Sequence, residues 1–555
     1  MNAATPSTKA ATRKLPGHDI FCTPENSDFV SQVPYQSLST TEREIRLLKI
    51  LPDSGSGFVE CELLPTVKLA DVEKQYLALS YCAGSARNTR PIKVNGSGCN
   101  VFANLHHALM EARHYWQTHA DQQDLLLWVD QICINQFDLA ERSHQVGFMR
   151  DIYEKSRHTL ICLSTPEAHG EDMRWLVMRR LDLELERVSW RHFYSDHHKT
   201  ELGFEERWAA SLGVAKSPWW TRAWVFQEFI VSTQATFLYG RHSMSYLDFA
   251  ILTAGIPGPE TPPPGFIVVT LNSHFQKEKT ESTMSKMRGF LIAKLKQSRT
   301  TDLKVLLSCT KNCQATDKRD KIYSILGLAE PGYGIVPDYS GNIAINDLVV
   351  ETTKKIILFE DSLMVLSYLD RDKIFYRYPR GTLPSWAIDW TDSASFGLRS
   401  SISVVSDYAF PRFVSYQPDG ITQSSLDAVF MKLPHPQYPP NTQITAIQVW
   451  AVLLDDGFYK NGDSWYTFQG SRGFVIRGWD WDGLEVNSDY ELWAVRGTIE
   501  PFLLCKYSYG YRIVRPMYCG NLARKLLPPD DQHRAEFYDG TFDMSKMEQT
   551  RIILF

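Results

Sequence analysis

Apolar positions change their period several times along the first half of the chain. Residues 76–81 (YLALSY) are aromatic and aliphatic, and Gly84 ends the run, which predicts a short strand. Asn104 stands where a helix N-cap belongs, ahead of Leu105, Ala108, Leu109, Ala112 and Trp116 at helical spacing. Residues 125–129 (LLLWV) are apolar without alternation, as a parallel strand covered on both faces requires. Asp138 with Glu141 has the form of a capping box, and Val146, Met149, Ile152 and Tyr153 share one face behind it. Residues 159–163 predict a third buried strand, expected beside 125–129. Ser217-Pro218 opens a helix to about Ser232, and residues 235–239 (ATFLY) make a fourth strand. Strand and helix alternate throughout, which predicts an α/β fold with a doubly wound parallel sheet.

The pattern then loosens. Residues 165–215 are rich in Arg, Glu, His and Trp and predict helix. The stretch 255–265 (GIPGPETPPPG) fits neither helix nor central strand and predicts a linker. Residues 280–380 predict mainly helix. From about 400, β-prone runs such as 442–453 and 491–495 alternate with Gly and Asp turns. The expected organisation is a disordered tail over 1–40, an α/β domain over 41–250, a linker and helical region over 251–400, and a β-rich domain over 401–555. The basic first 20 residues lack an amphipathic stripe, so a tail fits them better than a transit peptide.

At 555 residues two or three cores are expected. A net charge of -5 gives no electrostatic reason to expect nucleic acid as a partner. No run approaches the ~18 apolar residues of a membrane span. Ten cysteines are scattered, several within apolar runs such as 160–163, which predicts reduced thiols and a cytoplasmic setting. Cys309 and Cys313 lack a second pair, so no metal is expected. The chain has no G-x-S-x-G, P-loop or G-x-G-x-x-G motif, which leaves serine hydrolase, NTPase and dinucleotide-dependent dehydrogenase without support.

Three blocks carry a family resemblance. The first is residues 76–81 with Gly84, Asn104-Leu105 and Ala108-Leu109. The second is 127–136 (LWVDQICINQ), then Asp138, Glu141-Arg142, Gln145-Val146, Met149 and Ile152-Tyr153. The third is Trp219-Trp220, Arg222, Trp224 and Gln227-Glu228. In order and spacing they resemble the signature blocks of the fungal heterokaryon incompatibility (HET) domain, over about 40–245. Residues 317–329, 336–340 and 383–386 resemble segments that commonly follow it. Two positions depart from the family pattern: Ala83 stands where Trp is usual, and Gln131 where Ala is common. The resemblance implies non-self recognition leading to programmed cell death, with a protein partner or self-association, and no resident cofactor.

In an open parallel sheet, ligands bind beyond the carboxyl ends of the strands. Ser80, Tyr81 and Gly84 fall at one such end, Asp130 to Asn135 at the next, and Ser164 at the third. The strand order and the helix bearing Trp224-x-x-x-Glu228 also resemble TIR domains, with their flavodoxin-like sheet, some of which hydrolyse NAD through a glutamate in that motif. That resemblance implies Glu228 as a catalytic carboxylate, Ser80, Tyr81, Gly84, Asp130, Asn135 and Trp224 as ligand-binding residues, and NAD as substrate. A carboxylate suits the chemistry, because breaking the ribosyl–nicotinamide bond develops oxocarbenium character. Each residue has a rival role. Trp224 and Glu228 share a helix face one turn apart, so Glu228 equally fits an ion pair with Arg222. Glu141 fits a capping residue, Asp130 a binder of loop amides, Asn135 a loop-fixing side chain, and Trp219 and Trp220 core or rim aromatics. The non-enzymatic alternatives are an interaction module that signals by association, and an inactive paralogue, which Ala83 brings into view.

Overall fold

In a computed structural model, the described residues are 35–167, 213–254, 287–294, 301–369, 383–393, 426–460, 467–477, 489–516 and 547–555, with short interruptions, together with Asn26, Phe29 and a few positions over 173–178. The chain divides into two compact units. The first comprises Met1–Thr301, Asn312–Leu328 and Val336–Asn342, and the second takes the remainder.

The first unit is built on a nine-stranded sheet. Its strands are β1 (Leu48–Ile50), β2 (Glu60–Leu63), β3 (Leu77–Tyr81), β4 (Thr89–Val94), β5 (Ser97–Phe102), β6 (Leu125–Trp128), β7 (His158–Cys162), β8 (Ala235–Tyr239) and β9 (His242–Ser245). Their spatial order is β9-β8-β7-β3-β6-β1-β2-β4-β5. The chief helices are α1 (Ala103–His119), α2 (Leu139–Gly147), α3 (Met149–Lys155) and α4 (Trp224–Val231).

All four strands expected from the apolar runs form. Every residue of β3 and of β8 is buried, so both faces of the sheet are covered there, which is why these runs carry no alternation. Two features differ from expectation. The sheet is mixed: β6, β3, β7 and β8 run parallel, whereas β9 is antiparallel to β8, β1 to β6 and β2, and β5 to β4. A local cause is visible in β4 and β5. They are joined through Asn95 and Gly96 at φ +51° and +80°, a two-residue turn that allows only antiparallel pairing. In addition, β6 and β7 are not neighbours, because β3 lies between them and pairs with both.

Asn26 and Phe29, inside the stretch expected to be a disordered tail, are fully buried, and Asn26 exchanges hydrogen bonds with the Asn100 backbone. Tyr35 packs on the same core. The remainder of that stretch up to residue 25, and the proline-rich stretch 255–265, lie outside the described residues. Segments beyond the expected linker return to this unit: Gln314 bonds the backbone of Thr221 and Ala223, and a Cβ on Gly327 would lie 2.5 Å from Gln227 Oε1.

In the second unit, α5 (Ile345–Glu360) is followed by a six-stranded sheet. Its strands are β10 (Val429–Pro434), β11 (Gln443–Asp455), β12 (Tyr490–Val495), β13 (Phe502–Tyr507), β14 (Gly510–Pro516) and β15 (Thr550–Leu554). β11 pairs with β10, β12 and β15, and β14 pairs with β15, so five strands close into a small barrel-like ring. This is the β-rich C-terminal region the turn spacing predicts. No helix among the described residues is long and apolar enough to cross a membrane.

Candidate functional site

At the carboxyl end of β3, the Ser80 hydroxyl donates to Glu228 Oε2 on α4, and the Trp219 indole N–H donates to Ser80 Oγ at 2.8 Å. An indole nitrogen can only donate, so the hydroxyl proton of Ser80 is left for the carboxylate and its direction is set. Ser80, Trp219 and Glu228 are all buried, Glu228 with 5% of its surface exposed. Tyr153 on α3 adds a second hydroxyl beside the carboxyl group. Burial pushes the Glu228 carboxyl up to about 7, and the charge of Asp130 acts in the same direction. Ser80, Arg222 and Tyr153 pull against it.

Arg222 does not form the ion pair with Glu228 that its spacing allows. Its guanidinium donates to the Tyr81 carbonyl at 2.6 Å and acts on Glu228 through charge alone. The Tyr81 hydroxyl donates to Asp130 Oδ1 at 3.1 Å, and the same carboxylate oxygen takes the backbone N–H of Gln131 at 2.7 Å. The ends of β3, β6 and α4 are thereby linked through Ser80, Tyr81, Asp130, Arg222 and Glu228.

The other singled-out residues lie less directly on this cluster. Trp224 is half-buried on α4 and acts on the carboxyl of Asp320, which takes the Tyr339 hydroxyl at 2.5 Å. Burial raises the Asp320 carboxyl above the usual aspartate value. Asn135 turns to its own loop, with Oδ1 accepting from Phe137 N at 3.2 Å, and its backbone N–H goes to Glu141 Oε1 at 2.6 Å. Asp138 caps α2 as its spacing predicts, but Glu141 does not close the box: its carboxylate turns inward to Arg46 at 2.7 and 2.9 Å. Ala83, where the family pattern has Trp, is partly buried against the core.

Asn104 differs from the expected N-cap, because α1 begins one residue earlier and the Asn104 amide donates to the Cys82 carbonyl at 2.9 Å. Gly84 makes that contact possible. It holds φ +79°, and a Cβ there would lie 2.7 Å from Asn104 Nδ2. Gly84→Ala should therefore lose about 1–2 kcal/mol of stability in denaturant unfolding; an unchanged midpoint would show that the loop after β3 tolerates a side chain.

Three contributors escape sequence reasoning. Trp219 reads as core, and it is core, yet it also orients Ser80. Tyr153 reads only as the apolar face of a helix. His107 gives no signal on its helix, but its Nε2 lies 2.8 Å from Ser164 Oγ at the end of β7. Burial holds its imidazole below the usual histidine value.

Comparison with known proteins agrees with the motif blocks. The family described as "Heterokaryon incompatibility protein (HET)" matches residues 76–228. The chain is 26% identical over 411 residues to "Heterokaryon incompatibility protein 6, OR allele" of Neurospora crassa, covering 64% of this chain. It spans 58% of the length of that relative. No solved structure matches the chain. The residues of the Ser80–Glu228 cluster thus lie within 76–228, the stretch that is similar to the heterokaryon incompatibility (HET) family.

Proposed function

We propose that the chain acts in vegetative incompatibility as a HET-domain effector of cell death, and that its first unit does so by hydrolysing NAD, with Glu228 as the catalytic carboxylate. The observation that carries this is Glu228 itself. It is a buried carboxyl without a cationic partner in contact, held by an oriented hydroxyl at the carboxyl end of a parallel strand. The parallel strands also support a flavodoxin/TIR-like relationship. Numbered by sequence, β3, β6, β7 and β8 stand in the order 2-1-3-4, so the topological switch point lies between β3 and β7, where Ser80 and Ser164 end their strands.

The roles follow from the charges. As the ribosyl–nicotinamide bond lengthens, positive charge develops on the ribose, and an ionised Glu228 stabilises it. The Ser80 hydroxyl, fixed by Trp219, favours the ionised form and holds its orientation. Tyr81, Asp130 and Trp224 would line the approach of the dinucleotide.

Ionisation of a group pushed up to about 7 makes a specific prediction. Nicotinamide release from NAD by the purified protein should climb as pH rises through about 7, with the carboxylate as the active form. Ser80→Ala removes a bond that favours that form, so the midpoint should move to higher pH. Release that is flat from pH 6 to 8 would remove Glu228 from the rate. No release at any pH, under conditions where the protein self-associates, would leave a non-catalytic signalling module as the function.

A further inference from the structure

One polar side chain beside this cluster is left without any structural use. Gln131 follows Asp130 at the end of β6 and has 5% of its surface exposed, yet neither its amide nitrogen nor its amide oxygen has a hydrogen-bond partner. Three residues earlier, the fully buried Trp128 indole N–H is also unpartnered. Two unsatisfied groups thus lie within four residues at one strand end. The position is not loose: the Gln131 backbone is tied to Asp130 Oδ1, which takes the Tyr81 hydroxyl.

A buried amide with both atoms unpaired destabilises a fold, and an apolar side chain of similar size would not. Groups that cost stability without structural return concentrate where a protein binds or reacts. A glutamine amide offers one donor beside one acceptor in a plane. Its complement is a planar edge with acceptor beside donor, as in a primary carboxamide or the amino edge of adenine. Carboxylates and phosphates present acceptors only and satisfy half of it.

We infer that Gln131 is a specificity-determining residue of the Ser80–Glu228 site, whose side-chain amide takes the donor–acceptor edge of a dinucleotide. The inference rests on the NAD reading proposed above. NAD carries such an edge at both ends, in the nicotinamide carboxamide and in adenine.

The test uses the full chain and three probes: NAD, an analogue with a carboxylate in place of the nicotinamide amide, and an analogue with hydrogen in place of the adenine amino group. The parent protein should bind NAD about tenfold or more tightly than one of the two analogues, and the disfavoured analogue identifies the end that Gln131 holds. Gln131→Met should lose about tenfold in NAD affinity and lose that preference, while its Tm stays level or rises. A folded Gln131→Met protein with parental affinity and preference overturns the inference and leaves NAD cleavage by Glu228 standing. Should Gln131→Met fail to fold, the parent series decides, since equal affinity for all three probes overturns it. A parent that binds none of the three removes the NAD reading, and the inference with it.

Discussion

Glu228→Gln should leave a folded protein that no longer releases nicotinamide and no longer kills on overexpression, with turnover down about a hundredfold or more. Glutamine keeps the shape and still accepts the Ser80 proton, so the packing around Trp219 and Tyr153 persists. What it removes is charge, and the stability consequence has a definite sign. A carboxyl at about 7 in the folded protein, against its ordinary value of 4.5, means that the folded state holds the extra proton between those values. Stability from this group is present below the unfolded value and is lost as pH rises through the folded one. The difference amounts to about 3 kcal/mol. Parent and variant should therefore be close at pH 4.5, and the variant should be the more stable by about that amount at pH 8. An ion pair with Arg222 predicts the opposite, a variant weakened by about 3–5 kcal/mol at pH 8. Denaturant unfolding at the two pH values, read with nicotinamide release, separates the two outcomes.

Much of the first unit can be read in the sequence because its strands are short, buried on both faces and marked by their ends. β3, β6, β7 and β8 announce themselves as unalternating apolar runs, and the Asp138 cap follows from local spacing. What depends on partners far along the chain is not legible. No local pattern states that β3 stands between β6 and β7, or that a nine-stranded sheet is extended by β1, β2, β4 and β5. The Asn95-Gly96 turn is a local signal, and it accounts for the antiparallel pairing of β4 with β5. Ser80 and Glu228 attract notice separately, as a strand end and a helix motif. Their contact across 148 positions, and the role of Trp219 in directing it, belong to the tertiary structure. Glu141 shows the same limit, since the spacing predicts a local cap and the carboxylate instead reaches Arg46, 95 residues away.

That last pair carries the other large effect expected in the fold. Arg46 and Glu141 form a forked ion pair with side chains only 2% and 7% exposed. Arg46 also donates to the carbonyls of Cys133 and Gln36 and lies 4.8 Å from the centre of the Tyr35 ring. Glu141 takes the Asn135 backbone N–H. One pair therefore ties three parts of the unit together: the segment before β1, the end of the helical turn that carries Asp130, and α2. Arg46→Met removes the cation and leaves a carboxylate buried without a counter-charge, which should lower stability by about 3–5 kcal/mol. Replacing both residues with Met removes the stranded charge as well, and should regain most of that loss, because well-packed apolar pairs commonly match buried ion pairs in stability. Recovery should not extend to function. Without Glu141 the Asn135 N–H loses its acceptor, the helical turn bearing Asp130 and Gln131 is freed from α2, and nicotinamide release should stay depressed in a protein that melts like the parent. Arg46→Met within about 0.5 kcal/mol of the parent would show that the pair is dispensable to the fold. Full activity in the stable double variant would show that the helical turn keeps its shape without it.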